Sequence, residues 1–211
     1  MATPRLRRLW KNEYFQTAIM ILLIVIVVFG FWFGLRLALN TDYPMLAVAS
    51  GSMCTLQPNQ CDGWSHPFAR TLHTGDLIII QGVNASDIRP GPYPNGDILV
   101  FRLSSQSDQL IVHRAIAETT VDGKISFVTQ GDANSAPGPG SPTPAENVIG
   151  KVVLRIPWIG HLALLMRDQS GVYLILALII IIIAVELVLS LIGRKEAETE
   201  KEEAALKATE T

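Results

Sequence analysis

Ala49-Ser50-Gly51-Ser52-Met53 sets two hydroxyls around a glycine, in a segment small enough to turn tightly. A serine is a poor nucleophile until a base takes its proton. Histidine suits that role near neutral pH, because its ordinary pKa is about 6.5. Of the four histidines, His113 stands out because its strand has a derivable partner. Asp122-Gly123 separates ETTV from KISFV and spells a two-residue type I′ hairpin turn. That turn pairs Val121 with Lys124, and an unbroken ladder counted outward from it sets His113 opposite Asp132. Opposed side chains have Cβ atoms about 4.5–5.5 Å apart, within reach of an imidazole–carboxylate hydrogen bond. One bulge in the ladder displaces the pair. His66, His73 and His161 show no metal-ligand spacing and no serine in a tight turn beside them, so structural or interfacial roles are expected. Arg114, next to the candidate base, reads as an ion-pair partner, and Asp76 after Gly75 as a turn residue. No metal and no cofactor is expected.

These residues need a scaffold, and the region from 37 to 168 reads as β structure. DLIIIQGV, GDILVFRL, QLIVHRAIAETTV, KISFVTQ and NVIGKVVLRI are short, β-branched and bounded by turn residues. RPGPYPNG and PGPGSPTP read as loops. The expected fold is a mainly antiparallel, coiled or barrel-like β domain between two transmembrane helices. Cys54 and Cys61 both fall in this domain. A disulfide between them is one reading; two free thiols are the other.

The two helices follow from the apolar runs. Tyr14 to Leu35 is 22 residues without charge, bounded by Glu13 and Arg36. Such a helix spans about 33 Å, against a hydrocarbon core of about 30 Å. Gln169 to Gly193 is a second run of 25 residues, broken only by Glu186, which sits near one end where its carboxylate can reach the interface. Arg5, Arg7, Arg8 and Lys11 precede the first run, and Arg194 and Lys195 follow the second. The excess of Lys and Arg marks the cytoplasmic side. The organisation expected is therefore a cytoplasmic N-terminus over 1–13, transmembrane helix over 14–36, extracytoplasmic β-rich domain over 37–168, transmembrane helix over 169–193 and charged cytoplasmic tail over 194–211, in the cell membrane. A cleaved signal peptide is the rival for the first run. Its apolar region is usually only about 7–15 residues, and the A-x-A-like triplet Ala47-Val48-Ala49 lies well beyond the run.

Composition agrees. Hydrophobic residues make up 49% of the 211, charged ones 17%, and the net charge is −2; soluble domains carry about 25% charged residues. The lack of a basic excess excludes a general nucleic-acid binder. Two cysteines exclude a multi-disulfide scaffold and a four-thiolate zinc site. Wholesale disorder is excluded by the aliphatic content.

Four blocks in order carry a resemblance: SGSM at 50–53, GDLIII at 75–80, IVHRAI at 111–116 and TQGDAN at 129–134, with NVIGKVV at 147–153 following. The chain resembles the type I signal peptidases, in their archaeal and endoplasmic-reticulum-type branch with a Ser–His catalytic pair. The resemblance implies a membrane-bound serine endopeptidase that removes signal peptides from translocated preproteins. It implies Ser52 as nucleophile, His113 as general base where the bacterial branch carries lysine, and Asp132 as the aspartate of the GD block. For the oxyanion hole, the Ser52 backbone N–H is the natural donor and the resemblance adds the Ser50 hydroxyl. One departure stands out. This branch usually has a second aspartate six residues after the first, and here that position is Gly138. The second carboxylate is absent, supplied by Glu146, or not needed.

The partners implied are signal-peptide-bearing preproteins, membrane lipid and the translocation channel. Small residues before the cut would suit shallow apolar pockets, with the substrate added as a strand near Ser52. Trp64, Phe68 and the IPWIGHLALLM stretch belong either to the headgroup zone or to the domain core. Two other functions compete: a catalytically inactive scaffold of a processing complex, and a membrane serine protease with non-signal substrates.

Overall fold

The structure is a computed structural model; it describes residues 13–104, 106, 108–167, 173, 176, 177, 180, 181 and 185. The chain divides into two compact units, Met1–His161 and Leu162–Thr211. The first contains one long helix and a sheet.

Helix α1 (Glu13–Ala38) is continuous and apolar along its length. Its segment Phe15–Ala38 is long and apolar enough to cross a membrane, and none of that segment is buried within the protein. Side chains such as Ile24, Phe29 and Phe31 are more than half exposed, a disposition that lipid favours and water does not. The helix ends by a Schellman arrangement. Asn40 takes a left-handed φ of 49°, Thr41 N–H donates to Arg36 O (3.2 Å), and Asn40 N–H donates to Leu37 O (3.3 Å). Asparagine tolerates that conformation better than any β-branched residue.

The sheet has seven strands: β1 (Met45–Ala47), β2 (Leu77–Gln81), β3 (Ile98–Arg102), β4 (Leu110–Val121), β5 (Lys124–Gln130), β6 (Thr143–Pro144) and β7 (Val148–Ile156). Their order is β1-β2-β7-β3-β4-β5-β6, and every pairing is antiparallel. The mainly antiparallel β domain expected from the sequence is therefore present. Helix α2 (Ile159–Arg167) follows β7. The expected second span over 169–193 falls, but for six positions, outside the described residues, as do residues 1–12 and the tail from 194.

Two apolar clusters hold the sheet. Val48, Met53, Leu72, Ile78, Ile80 and Val100 form one. Ile88, Leu99, Phe101, Ala115 and Phe127 form the other. The alternation on β3 explains the division, since Val100 points to one face and Leu99 and Phe101 to the other. Strand β4 serves two partners: Leu110–Arg114 pair with β3, and Arg114–Val121 pair with β5.

The Asp-Gly turn forms as its sequence requires, with φ of 50° at Asp122 and 76° at Gly123. Val121 pairs with Lys124, and the expected register holds to Ala117↔Val128. A bulge between Ala115 and Ala117 then shifts it, so that Ala115 pairs with Thr129 and Arg114 with Gln130. The direct facing of His113 and Asp132 expected from an unbroken ladder is therefore wrong. The extra residue, Ile116, moves everything beyond it by one place and changes which side chains share a face. His113 pairs instead with Leu99 on β3.

Candidate active site

Ser52 and Met53 occupy the centre of a turn closed by Cys54 N–H donating to Gly51 O at 2.9 Å. Met53 is 1% exposed and plugs into the first apolar cluster. Thr71 clamps the segment from behind: its hydroxyl donates to Met53 O (2.6 Å) and accepts from Thr55 N–H (3.0 Å). A disulfide joins Cys54 to Cys61, with Cα atoms 5.9 Å apart. The serine turn is thus fixed by a core anchor, a threonine clamp and a covalent tie. Ser50 Oγ and Ser52 Oγ lie 3.3 Å apart.

His113 arrives from β4 and is 4% exposed. The loop after β5 passes between it and the serine. A Cβ placed on Gly131 would stand 2.5 Å from Ser52 O and 3.0 Å from His113 Nε2, so glycine is required where these two residues converge. Ala133 N–H donates to Ser52 O at 3.0 Å, tying the same loop to the serine turn. Burial pushes the His113 pKa below its ordinary 6.5, and the Asp132 charge opposes that shift. The imidazole is thereby kept neutral, as a base must be before it accepts a proton.

Asp132 lies beside His113 but its carboxylate is bonded elsewhere. Arg114 Nε donates to Oδ1 at 2.8 Å and Nη2 to Oδ2 at 2.6 Å. Both side chains are nearly buried. Arg114 also donates to Pro94 O (3.3 Å) and to Gly96 O, and its guanidinium lies over the Tyr93 ring. Nδ1 of His113 is buried and has no hydrogen-bond partner among the described residues. Glu146 bonds to Lys124 at 3.0 Å, next to the hairpin tip and at the opposite end of the β4–β5 ladder from Arg114. A cavity of about 510 Å³ opens beside the serine turn, lined by Gly51, Cys54, Leu56, Pro58, Cys61 and Ala133, among others.

Of the remaining histidines, His66 is exposed, with Nδ1 3.1 Å from Ser65 Oγ, while His73 and His161 are held in packed contacts. His73 is fully buried; its N–H donates to Asp76 Oδ2 (2.8 Å), and its Nδ1 accepts from Arg155 (3.3 Å). Asp76 caps this turn. His161 stacks on Trp64 at 4.2 Å, and Phe68 meets Trp158 edge-on at 5.9 Å. Trp64 and Phe68 are 61% and 80% exposed, so the reading that put them in the core is wrong. The Thr71 clamp, the ion pair of Arg155 Nη1 with Asp76 Oδ2 at 3.3 Å and the glycine contacts on His113 were not foreseen in the sequence. Each depends on loop paths that no local motif specifies.

A mainly antiparallel sheet behind an N-terminal apolar helix, with a serine turn brought beside a buried neutral histidine, is consistent with a membrane-anchored peptidase. No protein-family model matches the chain. Its homologues are catalytic subunits of the signal peptidase complex. Signal peptidase complex catalytic subunit SEC11C of Canis lupus familiaris is 28% identical over 170 residues, covering 77% of this chain and 78% of the relative. The sec11 subunit of Dictyostelium discoideum is 24% identical over 183 residues, covering 82% and 90%. The SEC11 subunit of Pyricularia oryzae is 26% identical over 156 residues, covering 70% and 77%. The chain is thus related to the endoplasmic-reticulum-type signal peptidases within the type I family.

Proposed function

We propose that this chain is a membrane-bound serine endopeptidase that cleaves N-terminal signal peptides from translocated preproteins, with Ser52 as nucleophile and His113 as general base. The observation that carries this reading is the convergence of the Ser52 backbone and His113 Nε2 on Gly131, in a chain whose homologues are signal peptidase catalytic subunits.

In the first step Ser52 Oγ attacks the scissile carbonyl carbon while His113 Nε2 takes the hydroxyl proton. The C–N bond then breaks, and His113 returns that proton to the leaving amine. Water, deprotonated by the same imidazole, hydrolyses the acyl-serine. The Ser52 N–H and the Ser50 hydroxyl, whose oxygen lies 3.3 Å from Ser52 Oγ, serve as the oxyanion donors, and one such donor is worth about 10²–10³ in kcat. Asp132 acts on the base through its charge, from its place on Arg114. The cavity beside Cys54 and Ala133 receives the stretch of substrate next to the scissile bond. Helix α1 anchors the site to the membrane, and the apolar run over 169–193 is a second anchor with both termini cytoplasmic. Membrane lipid and the translocation channel are the surroundings this requires.

The test is purified protein in lipid vesicles given a preprotein, with the product's new N-terminus sequenced. Release of a mature protein cut after a small residue supports the proposal. No product with any preprotein, from protein that is folded, favours the inactive-scaffold reading. Cleavage restricted to proteins without signal peptides favours the alternative protease.

A further inference from the structure

His113 presents a problem that the residues around it answer. A catalytic imidazole must be held at one angle, which a carboxylate on Nδ1 ordinarily does. Here Nδ1 is buried and unpartnered among the described residues, and both oxygens of Asp132 are bonded to Arg114. The loop at Gly138 lies directly against the ring instead. A Cβ on Gly138 would stand 2.6 Å from Nδ1 and closer still to Cε1, far inside van der Waals contact. The loop is also firmly seated. Gly138 N–H donates to Thr129 O (3.0 Å), Gly138 O accepts from Ser141 N–H (3.3 Å), and Thr129 N–H donates to Ser141 Oγ (3.0 Å). Behind it Thr129 and Thr143, both buried, bond through their hydroxyls at 3.2 Å. Gly131 closes the Nε2 side, and the Phe101 ring packs at 6.3 Å.

We propose that Gly138 is a positioning residue: its bare backbone, locked to β5, holds the His113 imidazole by shape, so that the site works as a Ser52–His113 dyad with no carboxylate on Nδ1. This deepens the peptidase reading and rests on it. One consequence distinguishes it from a site that has merely lost an acid: any side chain at 138 must displace the ring or the loop. Among the described residues Nδ1 has no acceptor to stabilise the imidazolium, and the charged groups near the base are Asp132 and, through it, Arg114.

The experiment compares full-length wild type, Gly138→Ala, Gly138→Asp and Ser52→Ala in vesicles with a preprotein, recording kcat, KM, pH profile and thermal midpoint. Gly138→Ala should lower kcat by at least about tenfold with KM little changed, because small misplacements of a catalytic group are costly. Gly138→Asp should be no more active than wild type. The acid limb of the wild-type kcat/KM profile, which needs no variant to fold, should fall below the ordinary histidine value. A Gly138→Asp variant faster than wild type, with that limb moved upward, would overturn the inference, as would a Gly138→Ala variant with normal kcat or a wild-type limb above 6.5. Activity in Ser52→Ala would instead sink the peptidase mechanism beneath it.

Discussion

Arg114 holds Asp132 in a two-pronged grip, Nε on Oδ1 at 2.8 Å and Nη2 on Oδ2 at 2.6 Å, with both side chains nearly removed from water. An aspartate serving only the base could be changed to asparagine at little structural cost. This one cannot, because its loss leaves a buried guanidinium without its counter-charge. Breaking a buried pair from one side costs about 3–5 kcal/mol. Asp132→Asn and Arg114→Met should each lower the thermal midpoint markedly, and the double variant should lose less than the sum. Additive losses in the thermal double-mutant cycle would mean the pair is not coupled.

Glu146 behaves differently. Its partner is Lys124, and both side chains are more than half exposed. Surface pairs of this kind are worth about 0–1 kcal/mol. Glu146→Gln should therefore keep both the thermal midpoint and preprotein cleavage near wild type. A large loss of cleavage with the fold intact would make Glu146 the acid of the site.

The Cys54–Cys61 bridge closes a short loop beginning two residues after Ser52. In the loop-entropy account it contributes about 2.5 kcal/mol. Non-reducing peptide mapping should find the two sulfurs joined, and reduction should lower stability and cleavage together, because the Ser52 turn loses its covalent tie. Free alkylation of both thiols in the oxidised protein would contradict this.

Much of this architecture could be read from residue order. The β-branched runs marked β2, β3, β4, β5 and β7, and Asp122-Gly123 fixed the hairpin tip. The bulge at Ile116 could not be read, since no residue type there demands one, and it alone moved His113 off Asp132. Ser52 and His113 could be picked out as candidates from residue type and spacing, and both lie close to Gly131. That Gly131 and Gly138 press on the imidazole could not be read, because their contacts arise from a Pro- and Gly-rich loop whose path is set by backbone bonds to Thr129 and Ser52.

Stability should respond to pH through His73 and His113. Burial is the first cause of a lowered pKa at both, with Asp76 and Asp132 opposing it. The unfolded chain, with ordinary histidines near 6.5, then binds more protons than the folded one in the window below that value. Stability therefore falls as pH drops from about 6.5 toward the lowered folded values, and is fully present above it. Thermal midpoints across pH 5–8 should show this fall, and His73→Gln should shrink it. Midpoints rising as the pH is lowered through that window would contradict the burial of neutral imidazoles.

Whether Ser52 carries the chemistry is measured most directly by the single-turnover rate of preprotein cleavage by Ser52→Ala against wild type, both purified in vesicles. Removing the nucleophile of a serine protease costs about 10⁶ in kcat. Cleavage by Ser52→Ala should fall to background while its thermal midpoint stays at the wild-type value. Cleavage within about tenfold of wild type, a change of only about 1.4 kcal/mol in the barrier, would contradict it and place the reaction at another residue.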